Sequence, residues 1–215
     1  MVLTGIIAVL IAYLIGSISF AVIFSKAFSK EDVRSKGSGN AGTTNVMRSV
    51  GLLPGILTFV CDALKGFVAC KVGELLFQYI SENSDAFWAE PIYGAYICGV
   101  ACMLGHIFPL FFGFKGGKGV ATSVGIFLVC CPIAIATGLA VFALGLLLVR
   151  IVSLSSLVAT VTVVVMSCVF TTDGAYKLPQ IIMCVIMGAI VFLKHSANIK
   201  RLVKGEEKRI TVKRK

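Results

Sequence analysis

A chain of 215 residues that is 58% hydrophobic and only 14% charged is unlike a soluble domain, which carries about 25% charged residues. Its net charge of +10 would suit nucleic acid, but nine cations sit in the C-terminal stretch: Lys194, Lys200, Arg201, Lys204, Lys208, Arg209, Lys213, Arg214 and Lys215. Beside an apolar segment, such a cluster is a flank attracted to anionic lipid, so the membrane is the expected partner and nucleic acid is not.

The apolar runs predict an all-α polytopic transmembrane bundle. They cover 2–24, 52–80, 92–112, 119–149, 151–170 and 178–193. The first begins directly after Met1 without a basic leader, so it is expected to be a span and not a cleaved signal. The second is interrupted by Asp62, Lys65, Lys71 and Glu74. Asp62 and Lys65 lie one turn apart and are expected to pair inside the bundle, because charge at that depth is costly. The 81–91 loop carries Glu82, Asp85 and Glu90 without a cation, and Trp88 is placed there as an interface anchor.

The 119–149 run decides the number of crossings. Two passes turning near Cys131 and Pro132, with the N-terminus outside, leave seventeen of the twenty Lys and Arg residues on one side. The positive-inside rule then favours seven transmembrane helices with the C-terminus in the cytoplasm; each half of 119–149 is short for a full span, and a re-entrant half would preserve the same sidedness. Residues 1–200 form the expected single membrane domain, and 201–215 a basic tail. The 171–177 loop, with Asp173 and Lys177, falls outside. All eight cysteines lie in apolar stretches and none has a CxxC partner, so they are expected to be buried small side chains.

Three polar stretches interrupt this pattern. Lys36 to Gly51 packs Gly37, Ser38, Gly39, Asn40, Thr44, Asn45 and Arg48 into one short segment. Glycine allows close backbone approach, exposed N–H groups attract anions, and a guanidinium fits phosphate oxygens. The second stretch, Gly105 to Thr122, contains His106, Lys115, Gly116, Gly117, Lys118 and Gly119 just before an apolar helix, where phosphate is favoured. His106 lies inside an apolar run, where packing competes with chemistry as its role. The third follows the last span, where His195 and Asn198 are spaced to share one face of a continuing helix. Glu206 and Glu207 are expected to fix the tail or pair with neighbouring cations.

Several chemistries are excluded. The spacing around Lys118 is not that of a Walker A loop, and no Ser or Thr follows it. GxSxG fails because Lys36 stands ahead of Ser38 where the first glycine belongs. The two histidines lie in no ligand-spaced cluster, so neither a metal nor a cofactor is expected. An HxxxxD acyltransferase signature fails at Phe111 and Lys200. A small organic-phosphate transporter shares the basic loops, but it would place polar groups near the bilayer midplane.

Taken in order, Gly37 to Arg48 with Gly51, then Gly105, His106, Pro109 and Phe114 to Thr122, then His195, Asn198, Ile199, Arg201, Leu202, Gly205 and Glu206 resemble the bacterial acyl-phosphate:glycerol-3-phosphate acyltransferase family. The resemblance spans essentially the whole chain. It implies a seven-helix membrane enzyme that acylates position 1 of glycerol 3-phosphate with an acyl phosphate, releasing lysophosphatidic acid and inorganic phosphate. The substrates are the only small-molecule partners implied, and a monomer in the bacterial inner membrane with a cytoplasmic active site is expected. Ser38, Arg48, Lys115, His195 and Asn198 are the implied catalytic positions. Gly37, Gly39, Asn40, Thr44, Asn45, His106, Gly116, Gly117, Lys118 and Gly119 are the implied substrate positions. Thr43, Met47 and Ser196 depart from the family's usual Ala, Leu and Arg.

Overall fold

The structure, a computed structural model, describes residues 1–84, 88–170 and 176–210. Asp85, Asp173, Lys213, Arg214 and Lys215, used above in the charge reading, lie outside the described residues. The described residues contain α1 (Val2–Gly16), α2 (Phe20–Ser29), α3 (Thr43–Ser49), α4 (Leu52–Glu82), α5 (Pro91–Ile107), α6 (Val120–Cys130), α7 (Pro132–Val149), α8 (Val152–Val169), α9 (Lys177–Lys194) and α10 (Ser196–Val203). They fall into two compact units, Met1–Cys130 and Cys131–Lys215.

Among the described residues, six stretches are long and apolar enough to cross a membrane: Val2–Ser29, Leu52–Glu82, Pro91–Phe112, Pro132–Val149, Val152–Val169 and Lys177–Lys194. The expectation of seven is therefore corrected to six. Pro132 lacks the N–H a continuing helix needs, and the 119–149 run breaks there, leaving α6 with only 11 residues. At 1.5 Å per residue α6 reaches about 16 Å, roughly half of a 30 Å hydrocarbon layer. A half of the 119–149 run that enters the membrane and returns would keep the expected sides of the two termini.

In the first unit, small residues let helix backbones approach closely, as in other membrane bundles. A Cβ on Gly16 would strike the backbone of Cys102, joining α1 to α5, and one on Gly125 would strike the Ala63 carbonyl, joining α4 to α6. Gly73 and Gly94 face each other across α4 and α5. Ala8, Ala12, Ala69, Phe77, Ile80, Cys98 and Cys102 fill the space between these helices, and Trp88 packs edge-on against Phe77. Because α4 and α5 run antiparallel, the start of α4 and the end of α5 share one end of the unit. That geometry brings the first two glycine segments together. A smaller cluster of Ala21, Val22, Val33, Ala41 and Val46, with Val50 and Phe112 against it, lies beneath them.

The second unit packs α7 on α8 and α8 on α9. Gly138 lies against Val163 and Gly188 against Val164. After α10 the chain is held to its own unit, where the Ile210 N–H donates to the Arg150 carbonyl at 2.7 Å.

Candidate active site

The first glycine segment begins with a short 3₁₀ turn at Val33–Ser35, capped by Asp32, which accepts from the Arg34 N–H at 2.9 Å. The Arg34 guanidinium clasps the same carboxylate, with Nη2 2.8 Å from Oδ2, and its Nη1 donates to the Phe112 carbonyl at 2.5 Å. This one side chain ties the first segment to the second. The hydrogen bond from Arg34 holds the Asp32 carboxyl below its ordinary range despite partial burial, and Asp32 raises Arg34 in turn.

Gly37 and Gly39 then take positive φ of 60° and 71°, a left-handed conformation that strains other residues. The turn they make wraps around Asn45. Its amide nitrogen lies 3.0 Å from the Val33 and Lys36 carbonyls and 3.1 Å from that of Asn40. Its Oδ1 accepts from the Ser38 N–H at 3.0 Å. Asn45 is buried and points into the loop, acting as its internal strut. Gly37, Ser38, Gly39 and Arg48 are exposed around it, while Asn40 and Thr44 are half-buried. Lys36 pairs with Glu31.

The second segment folds back on α5. The Gly116 and Gly117 N–H groups donate to the Ile107 and His106 carbonyls, each at 3.2 Å. Those two donors are thus spent on closing the loop. Glycine is needed here for close approach, since a Cβ on Gly117 would meet both His106 Nε2 and the Ala41 carbonyl of the first segment. Gly119, with φ of 86°, leads directly into α6. The first turn of any helix leaves N–H groups without intrahelical partners. Lys115 is exposed beside this turn in sequence, and Lys118 is half-buried.

A buried ionic cluster lies behind the loop, as the Asp62 and Lys65 spacing predicted. Lys65 Nζ is 2.7 Å from Asp62 Oδ1, 2.7 Å from the Ile18 carbonyl and 3.1 Å from His106 Nδ1. Lys65, Asp62 and His106 are all buried.

His195 and Asn198 belong to the second unit. The helix does not continue through them as expected, because α9 ends at Lys194 and α10 starts at Ser196. Both side chains are nonetheless buried. His195 Nδ1 lies 2.8 Å from the Val191 carbonyl, which makes Nδ1 a protonated nitrogen that donates to it. Asn198 Nδ2 donates to Glu207 Oε1 at 2.6 Å, and Ser153 Oγ donates to the same oxygen at 2.9 Å. Arg201 Nε donates to Glu207 Oε2 at 2.6 Å. Partial burial raises the Glu207 carboxyl, but hydrogen bonds from Arg201, Asn198 and Ser153 outweigh it and hold the group below its ordinary range.

A family model described as glycerol-3-phosphate acyltransferase matches residues 6–205, which include all three polar stretches. The chain belongs to the glycerol-3-phosphate acyltransferase family. It is 40% identical over 206 residues to glycerol-3-phosphate acyltransferase 2 of Bacillus anthracis, covering 96% of this chain and 99% of that one. A glycerol-3-phosphate acyltransferase of Chromobacterium violaceum is 41% identical over 207 residues, covering 94% and 93% of the two chains. Among solved structures, the glycerol 3-phosphate form of PlsY, an integral membrane glycerol 3-phosphate acyltransferase, superposes with a TM-score of 0.82 at 35% identity over 96% of each chain. Its lysophosphatidic acid form gives 0.80 at the same identity.

The family member described here is thus a multi-pass inner-membrane enzyme, and acyl-phosphate-dependent acylation of glycerol 3-phosphate is its activity, as the three stretches implied. The sequence reading missed three contributors to the geometry. Arg34 counted only as one of the loop cations, Asn45 was taken as a neutral donor, and Glu207, which pairs with a neighbouring cation at Arg201 as expected, also holds Asn198, which was not foreseen. A carboxylate nine residues after Asn198 carries no periodic signal, so only the folded tail reveals it.

Proposed function

We propose that the basic end of the first unit faces the cytoplasm and holds the phosphate groups of both substrates. Arg48, Lys115 and Lys118 supply positive charge, and Ser38, Asn40 and Thr44 supply neutral donors. Gly37, Gly39, Gly116, Gly117 and Gly119 shape the backbone so that a phosphate can approach. The observation that carries this reading is the seam between the two segments, where Arg34 reaches the Phe112 carbonyl and Gly117 fits between His106 and Ala41. His195 and Asn198 are assigned to the same reaction on the sequence resemblance.

The glycerol 1-hydroxyl oxygen attacks the acyl carbonyl carbon. A C–O ester bond forms, the bond from that carbon to the phosphate oxygen breaks, and inorganic phosphate leaves with the electron pair. A substrate phosphate takes the hydroxyl proton. Acyl phosphate is a mixed anhydride with a good leaving group, so positioning and charge stabilisation carry most of the catalysis. Ser38 acts as a hydrogen-bond partner and is not acylated. The acyl chain runs along apolar helix faces open to the bilayer, where each buried methylene contributes up to about 0.8 kcal/mol. The enzyme acts as a monomer.

The test supplies purified protein with acyl phosphate and glycerol 3-phosphate and measures lysophosphatidic acid and inorganic phosphate in equal amounts. Acyl-CoA in place of acyl phosphate should give no product. Acyl-Ser38 trapped during turnover would replace direct attack with a covalent route. Impermeant labelling that put Arg48 and Lys118 on opposite faces would remove the shared phosphate site.

A further inference from the structure

We propose that Lys65 is a positioning residue that holds His106 in its Nε2–H tautomer and so presents that N–H to the second glycine segment at Gly117. An ammonium group has three N–H donors and no acceptor. Lys65 Nζ donates to the Ile18 carbonyl at 2.7 Å, forms an ion pair with Asp62 Oδ1 at 2.7 Å without hydrogen-bond geometry, and lies 3.1 Å from His106 Nδ1. Because the ammonium cannot accept, the His106 Nδ1 is the acceptor of that 3.1 Å contact. A neutral ring then carries its proton on Nε2.

The competing states fit the geometry less well. An Nδ1–H ring would point its proton at the ammonium, and its other neighbour, Asp62 Oδ1, is 3.5 Å away, beyond an ordinary N–H···O distance. A doubly protonated ring would set two positive charges 3.1 Å apart in a buried site, with one carboxylate between them. Coulomb repulsion at that separation is large wherever water is excluded. Asp62 and Lys65, both from α4, are the charged groups that face the ring. Lys65 also lies over the Phe20 ring, 5.7 Å from its centroid, which further fixes the ammonium.

Nε2 is the atom that a Cβ on Gly117 would strike, and the Gly117 N–H is bonded to the carbonyl of His106 itself. His106 therefore touches the second segment through both its ring and its backbone. Lys65 acts on the loop through the ring, without reaching it. The inference deepens the phosphate reading of this segment and rests on that reading for its kinetic consequence. The tautomer itself does not depend on the substrate. His195 carries a proton on Nδ1, which donates to Val191, and serves as an internal contrast at that nitrogen.

The experiment is 15N NMR of histidine-labelled enzyme in detergent at neutral pH, with His106→Gln used to assign the two rings. A bare Nδ1 and a protonated Nε2 on His106 are expected, with a protonated Nδ1 on His195. A protonated Nδ1 on His106 would overturn the proposal. Because Lys65→Met alone strands the Asp62 charge and can prevent folding, the perturbed form is the double variant Asp62→Asn, Lys65→Met. Its His106 should lose the single-tautomer pattern, and retention of that pattern would also overturn the proposal. In kinetics, the amide of Gln reproduces an Nε2–H donor and that of Asn an Nδ1–H donor. His106→Asn is expected to raise KM for glycerol 3-phosphate about tenfold more than His106→Gln does, the value of one hydrogen bond. Equal effects would count against the presented N–H. Unchanged KM in Lys118→Ala would discard the phosphate reading of the segment while leaving the NMR result intact.

Discussion

The Asn198 side-chain amide donates to Glu207 at 2.6 Å, across a turn in which Arg201 binds the other oxygen of the same carboxylate. The hydrogen bond fixes which end of the Asn198 amide faces the tail. A carboxylate at the start of the basic tail therefore sets the orientation of a residue in the third polar stretch.

Glu207→Gln should expose this coupling. The carboxyl is held below its ordinary value of 4.5 in the folded protein, so its stabilising contribution is fully present above about pH 4.5. It is lost as pH falls through the lowered folded value. Thermal unfolding in detergent should show the wild type more stable than Glu207→Gln at pH 7, with the gap closing below about pH 4.5. A constant gap across that range would mean that the charge is not what matters.

Asn45→Ala should dismantle the first segment. It removes the acceptor of the Ser38 N–H and the donor to the Val33, Lys36 and Asn40 carbonyls. At about 1 kcal/mol for each lost hydrogen bond, more where a buried group is stranded, a destabilisation of about 2–4 kcal/mol is expected. Activity should fall in parallel with the folded fraction, measured by unfolding and turnover on the same preparation.

Two glycines of the second segment should respond differently to alanine. At Gly117 the new Cβ meets His106 Nε2 and the Ala41 carbonyl, whereas at Gly113 nothing lies within 4 Å. Gly113 has φ of 66°, so Gly113→Ala should cost about 1–2 kcal/mol through backbone strain alone. Gly117→Ala should pry the two segments apart and raise KM for glycerol 3-phosphate. Steady-state kinetics on both variants separates the two effects.

Arg48→Lys retains the charge but loses the planar fork that can hold two phosphate oxygens. A drop in kcat/KM for glycerol 3-phosphate of about tenfold or more is expected. Kinetics equal to wild type would remove Arg48 from phosphate positioning.

Much of this was legible before folding. Runs of apolar residues marked the spans, and the Asp62 and Lys65 spacing announced a buried ion pair. The glycine-rich stretches marked where the chain bends. The count of crossings failed because hydropathy registers apolar character and not helix length. Residues 119–149 are apolar throughout, yet the break at Cys131 and Pro132 leaves α6 too short to span. The glycine N–H groups were read as anion donors, but those of Gly116 and Gly117 close their own loop, a choice set by the return of the chain along α5. The pairing of Glu207 with a neighbouring cation was legible, but its hold on Asn198 and Ser153 depends on the path of the tail.

The interruption between α1 and α2 decides where Lys65 can settle. In an unbroken helix the Ile18 carbonyl would accept from the Val22 N–H, but Val22 turns to Ser19 at 3.1 Å and leaves that oxygen to the ammonium. The kink is thus a socket for a charge borne by another helix. Straightening residues 17–19 with strong helix formers would close the socket, and a lysine more than forty positions downstream would register the change first.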